Sequence, residues 1–113
     1  MPGFEASIRR QDGLAVVAIA GDIDRDAEEG LHAAYADASS DGGTILLDFT
    51  HTGYINSTGI ALIVGVLAKA RAAGRAIMAC GLSDHYKEIF TITRLADFIE
   101  IVEDQHAAAA AKK

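Results

Sequence analysis

The sequence has little with which to form a disulfide, grip a phosphate backbone or cross a membrane. Its single cysteine, Cys80, cannot pair internally or furnish a cysteine-rich metal site, which points to a reducing compartment. Lysine and arginine number 10 against 16 aspartates and glutamates, a formal net charge of −6 over 113 residues. Nucleic-acid affinity comes mainly from basic side chains that neutralise phosphates, and attachment to anionic lipid needs the same surplus. Neither direct nucleic-acid binding nor membrane insertion is expected. The longest apolar stretch, Gly59 to Ala68, ends after 10 residues at Lys69, whereas a spanning helix needs roughly 20. The N-terminus, Met1-Pro2-Gly3-Phe4-Glu5, lacks the basic and apolar regions of a signal peptide. The expectation is a free-standing cytoplasmic chain folded as one domain over residues 1–113, long enough to build a core without staples.

Several chemistries lack their signatures. There is no Gly-x-x-x-x-Gly-Lys phosphate loop and no Gly-x-Gly-x-x-Gly fingerprint, so no nucleotide cofactor is expected. His32, His51, His85 and His106 are scattered without the spacing of metal ligands. Asp22-Ile23-Asp24-Arg25-Asp26 resembles the start of a calcium loop. However, position six is Ala27 instead of Gly, and position twelve is Ala33 instead of a bidentate Glu. These acids read as helix-capping residues on a solvated face, and no metal site is expected.

What remains has the pattern of a small α/β domain. Phe4, Ala6 and Ile8 alternate with polar residues as in a strand with one covered face. Asp12-Gly13 then closes a hairpin onto a second strand, Leu14 to Ala20, that Gly21 ends. Ala27, Leu31, Ala34, Tyr35 and Ala38 recur at helical spacing, predicting an amphipathic helix near 25–39 with Asp24 or Asp26 as its cap. Ile45 to Phe49 is an apolar run typical of a central strand. A loop rich in Thr, Gly and Asn follows, and a second helix runs from about Ser57 to Ala73, where Gly74 stops it. Ala76–Cys80 reads as a buried strand, Ser83 as the cap of a third helix and Phe98–Val102 as a last strand. Residues 104–113 read as a weakly anchored helical tail. Strands separated by helices are joined by crossovers, so a mostly parallel sheet of about five strands with about four helices is predicted.

Chemistry concentrates at Tyr54-Ile55-Asn56-Ser57-Thr58-Gly59-Ile60, where a buried strand leads into an apolar helix. A nucleophile elbow would need Gly where Ile55 stands. Its triad would also need Asp84 or Asp97 with a base on the tail, His106, which makes a small serine hydrolase a distant third reading. Asn56, Ser57 and Thr58 suit helix capping. The same geometry suits a phosphorylated Ser57, because helix N-termini favour negative charge. From Gly59 to Ala73 the only charges are Lys69 and Arg71. That helix is therefore either a buried crossover or one with an apolar outer face open for docking.

Gly21-Asp22-Ile23-Asp24, Leu47-Asp48-Phe49 and Tyr54 to Ile60 together resemble the anti-sigma factor antagonists of the STAS domain family. The likeness continues through Ala72-Ala73-Gly74-Arg75, Cys80-Gly81-Leu82-Ser83 and Ile89-Phe90 to Leu95, over roughly residues 4–103. The resemblance implies a bacterial partner-switching protein, monomeric or weakly dimeric, with no catalytic activity. Such a protein binds a serine-kinase anti-sigma factor, is phosphorylated by it at Ser57, and is reset by a serine phosphatase. Asp24 matches an acidic residue near that serine, Thr58 and Gly59 complete the signature, and Asn56 stands where phosphorylated members usually carry Asp. An Asn at this position can still cap the helix, and it removes a like charge beside a phosphoserine. It also keeps open a second reading, a non-phosphorylated STAS scaffold or transporter-associated subunit. Asp22 in place of Glu is a milder departure.

Overall fold

The computed structural model describes residues 3–111; Met1, Pro2, Lys112 and Lys113 lie outside the described residues. The chain opens on β1 (Glu5–Gln11) and β2 (Leu14–Ile23). Asp12 and Gly13 between them have φ of 58° and 76°, the left-handed pair that fits a two-residue turn to the twist of a hairpin. A 3-10 turn, Arg25–Ala27, leads into α1 (Glu28–Ala38). Then come β3 (Thr44–Ile55), α2 (Ser57–Ala72), β4 (Ile77–Cys80), α3 (Asp84–Ile92), β5 (Glu100–Ile101) and α4 (Gln105–Ala111). The strands form one sheet in the order β1-β2-β3-β4-β5. The first pair is antiparallel and the rest are parallel, as helical crossovers require.

Four boundaries differ from the sequence reading, each for a local reason. β2 does not end at Gly21 but runs to Ile23, with Gly21 at φ 84°. The expected loop after Phe49 is instead the second half of β3. The register slips between Ala18↔Asp48 and Ala20↔His51, and again between Gly21↔Thr52 and Ile23↔Ile55, so β3 carries an extra residue at each bulge. Polar side chains take up groups near these bulges. Asp48 accepts from the Thr50 N–H (3.0 Å) and hydroxyl (2.6 Å), and Thr52 donates to the Ile19 carbonyl (2.9 Å). The first helix starts late because Asp24 accepts from the Asp26 N–H at 3.0 Å and fixes a 3-10 turn there. The last strand is short because the Phe98 N–H is bonded back to Leu95 in a second 3-10 turn, Leu95–Asp97.

Side-chain alternation along β2 and β3 splits the core into two layers. Ala15, Val17, Ile19, Ile45, Leu47 and Phe49 face α1, α2 and α3. Leu14, Val16 and Leu46 join Met78 and Cys80 on the other face, where Ala108 of α4 is fully buried against them. The tail helix is thus docked through Ala108 with Ala109 packed beside it, and Gln105 at its start accepts from Arg9 and lies 3.4 Å from Asp12. Arg75, after α2, donates to the Ser39 (2.7 Å) and Gly43 (3.2 Å) carbonyls and ties the end of α1 to the start of β3. On α3, Phe90 is fully buried with its ring edge-on to Phe49, centroids 6.1 Å apart, which fixes that helix over the sheet.

Cys80 is buried beneath α4, and burial, reinforced by the nearby Asp48 carboxylate, pushes its thiol up to about 12. The folded state therefore favours the protonated thiol. That contribution is complete below the ordinary cysteine pKa of about 8.5 and is lost as pH rises from there towards the folded value. Urea denaturation from pH 8 upwards should show wild type losing stability relative to Cys80→Ala, with a parallel pH profile for the two refuting it. An aromatic disulfide reagent at pH 8 should modify Cys80 only at the rate of unfolding.

Candidate functional site

The site lies where β2 and β3 both end. Ile23 and Ile55, the last residues of the two strands, are paired, and the Asn56 N–H donates to the Ile23 carbonyl at 3.3 Å. Asn56 is extended (φ −87°, ψ −177°), and its side-chain oxygen accepts from the Gly59 N–H at 2.8 Å, capping α2. Its carbonyl takes the Ile60 N–H at 2.9 Å as the first intrahelical bond. Ser57 and Thr58 occupy the first two helical positions with exposed side chains, and among the described residues no acceptor meets their N–H groups. Of the three residues that composition allowed as the cap, Asn56 takes that role, which leaves the Ser57 hydroxyl uncommitted.

Gly59 is required by space. A Cβ there would stand 2.0 Å from the Ile23 carbonyl oxygen and 3.0 Å from Ile55 Cγ2. The closeness brings the end of β2, and the 3-10 turn that follows it, against α2. Asp24, half-buried, is one residue beyond Ile23, so the structure places it in the same corner as Asn56, Ser57, Thr58 and Gly59.

Two further residues hold this corner: Asp22, read from the sequence as a helix-capping acid, and Tyr86. Asp22 Oδ1 accepts from the Tyr54 N–H at 2.8 Å, bridging the ends of β2 and β3. The Tyr86 hydroxyl on α3 accepts from the Ile55 N–H at 2.8 Å. Tyr86 sits four residues before the buried Phe90, on the face of α3 turned to the core. The available signal was its phenol, since a tyrosine on an apolar helix face carries a hydroxyl that must find a partner. His106, by contrast, rides on α4 across the sheet from α2, so the Ser57–His106 arrangement of a hydrolase is not assembled.

The segment from the end of β2 into α1, part of which touches α2, is mostly acidic, with Arg25 as its one cation. Asp22, Asp24, Asp26, Glu28 and Glu29 contribute five of the sixteen acids within eight residues. Among the described residues no group of three or more His, Cys, Asp or Glu side chains is arranged to hold a metal ion.

The profile of the family described as Mlab, STAS domain, matches residues 6–103. The chain belongs to the STAS domain family. A stretch of 61 residues is 36% identical to the anti-sigma-B factor antagonist of Listeria monocytogenes, covering 54% of each chain. The chain thus spans about half the length of that relative. BtrV of Bordetella bronchiseptica is 29% identical over 104 residues, 90% of this chain and 89% of its own. An anti-sigma factor antagonist from Mycobacterium paratuberculosis has the same fold, with a TM-score of 0.81 at 16% identity over 97% of this chain and 94% of its own. Among the described residues of this STAS domain, no helix is long and apolar enough to cross a membrane.

The contacts at the start of α2 set an order for substitutions there. Gly59→Ala should cost roughly 1–3 kcal/mol, because its methyl overlaps backbone that cannot rotate away. Asn56→Ala should cost about 1 kcal/mol through the lost cap. Ser57→Ala should stay within about 0.5 kcal/mol, as expected of an exposed side chain without a partner. Urea titration of the three variants checks the order, and a Ser57→Ala loss as large as that of Asn56→Ala would contradict the assignment of the cap.

Proposed function

We propose that this STAS domain is an anti-sigma factor antagonist whose binding to a serine-kinase anti-sigma factor is switched by phosphorylation of Ser57. The observation that carries this reading is the exposed, uncommitted Ser57 hydroxyl at the first position of a 16-residue helix already capped by its neighbour Asn56. A phosphate there meets the positive end of the helix dipole and N–H groups without protein acceptors, a stabilisation of about 0.3–1 kcal/mol at an exposed helix end. In a docked interface the same group, with a charge of about −1.5 to −2, would cost several kcal/mol in desolvation and repulsion. Each 1.4 kcal/mol is about tenfold in affinity. Phosphorylation thus spares the fold and dissociates the partner.

The domain acts by recognition, without chemistry of its own. The phosphoryl donor belongs to the partner kinase, and a serine phosphatase resets the switch. Asp24 and the acids beside it favour a basic docking surface on the kinase, and Thr58 and Gly59 shape the contact at the helix start. The setting is cytoplasmic, and the working unit is a monomer or weak dimer. The names of the Listeria and Bordetella relatives support the first half of this reading. The exposed serine at a helix start supports the second.

Incubation with the cognate kinase and ATP should add the mass of one phosphoryl group, mapped to Ser57 by peptide sequencing. An unmodified chain would instead favour a constitutive scaffold or transporter-associated subunit. Ser57→Glu should weaken kinase binding by at least roughly tenfold while leaving the thermal midpoint close to wild type. Because the acidic corner steers association, the on-rate for the kinase should fall steeply between low and physiological salt, with a smaller change in off-rate. A salt-independent on-rate would remove the acidic corner from the interface.

A further inference from the structure

The far end of α2 carries a second surface that the switch does not use. Val64, Leu67, Ala68 and Arg71 fall at positions i, i+3, i+4 and i+7, one face of the helix. They form a wall of a groove of about 250 Å³ whose other wall is Arg94, Leu95 and Phe98, after α3. Two large apolar side chains in it are left open, Val64 at 45% and Phe98 at 50% exposure. The groove is smaller than the roughly 300–1,000 Å³ of a small-molecule pocket, and its walls are a helix and a 3-10 turn, with no strand edge to which an extended peptide could add.

Its rim carries two arginines, Arg71 and Arg94, the second paired with Asp97, in a chain of net charge −6. The Arg71 guanidinium lies over the Phe98 ring, 5.1 Å from its centroid. Arg94 is held at φ 68° by the turn hydrogen bonds that flank it, and donates through Nε to Asp97 at 2.9 Å. Its remaining guanidinium N–H donors are free to point outward. We infer that this groove docks an acidic amphipathic helix of a partner protein, apolar side chains inserting between Val64 and Phe98 and carboxylates meeting Arg71 and Arg94. The corner at Asp22–Glu29 repels such a helix, so charge selects the groove and excludes the switch face. The groove lies about 10–21 Å along the axis of α2 from Ser57, at 1.5 Å per residue. The inference is therefore independent of the phosphorylation reading.

The test uses the full chain and two fluorescein-labelled synthetic helices with leucine at i, i+3 and i+7. One carries glutamates flanking the apolar face, the other lysines in their place. Fluorescence anisotropy should show the glutamate helix binding at least roughly tenfold more tightly, with amide shifts confined to α2 after Val64 and to residues 92–98. Arg71→Glu combined with Arg94→Glu should reverse the preference, a result that loss of folding cannot produce. Val64→Asp, at an exposed position, should abolish binding of both helices, and Ser57→Glu should leave binding unchanged. No binding, equal binding of the two helices, or shifts centred on Ser57 would overturn the inference. So would a concentration-dependent dimer that Val64→Asp dissolves in sedimentation equilibrium, since the occupant would then be a second copy of the chain.

Discussion

Between the carbonyl oxygen of Ile23 and the α-carbon of Gly59 there is no room for a methyl group, and the geometry of the whole upper end of the domain depends on that approach. It brings α2 onto the end of β2 so closely that the Asn56 N–H reaches the same carbonyl. Asn56 is then held extended, its side chain turns in to the Gly59 N–H, and the next two side chains can only face outward. The exposure of Ser57 follows from how tightly its neighbours are packed. A larger residue at 59 would push the helix off the strand and loosen the cap, the pairing of Ile23 with Ile55 and the position of Asp24 together.

At the tip of the strand that delivers Ser57, side-chain bonds supplement the ladder. β3 is bulged twice in its second half, and near those bulges Asp48 holds Thr50 of the same strand while Thr52, Asp22 and Tyr86 make bonds that link β3 to β2 and α3. Each of these bonds contributes about 0.5–1.5 kcal/mol net. By contrast, the apolar half of β3, Ile45 to Leu47, is buried on both faces between β2 and β4. The strand therefore has a rigid base and a tip that can open locally at smaller cost. Tyr86 makes α3 part of that tip, since Phe90 anchors the helix and the phenol four residues earlier sets the backbone of Ile55.

This division also explains what was legible in the sequence. Local turn and cap chemistry was legible at several places, though not at Gly21 or at the start of α1. Asp12-Gly13 closes the hairpin, Ser83 caps α3 and Gly74 follows α2. The helix beginning at Ser57 and the crossovers that make the sheet parallel also followed from pattern alone. Long-range bonds were invisible. Thr50 to Tyr54 has the composition of a loop, and it is a strand because Ile19 and Asp22, both more than 30 residues away, satisfy its polar groups while Tyr86 takes the next N–H, that of Ile55. The site was legible as residue types at a helix start. Which of Asn56, Ser57 and Thr58 would cap was not, because the answer depends on Ile23 orienting the Asn56 backbone.

The two ends of α2 are electrically opposite, and salt keeps them separate. The N-terminal end sits beside five acids, while Lys69 and Arg71 occupy the last turn, where cations suit the negative end of the dipole. At physiological ionic strength the Debye length is about 8 Å, and fourteen residues of helix separate Ser57 from Arg71 by about 21 Å. A phosphate added at Ser57 is felt by whatever docks on the acidic corner and is screened almost completely before it reaches the arginines. A charged modification can therefore change one contact of this domain and leave another intact. In a module this small, such independence requires the two surfaces to lie at opposite ends of its longest helix.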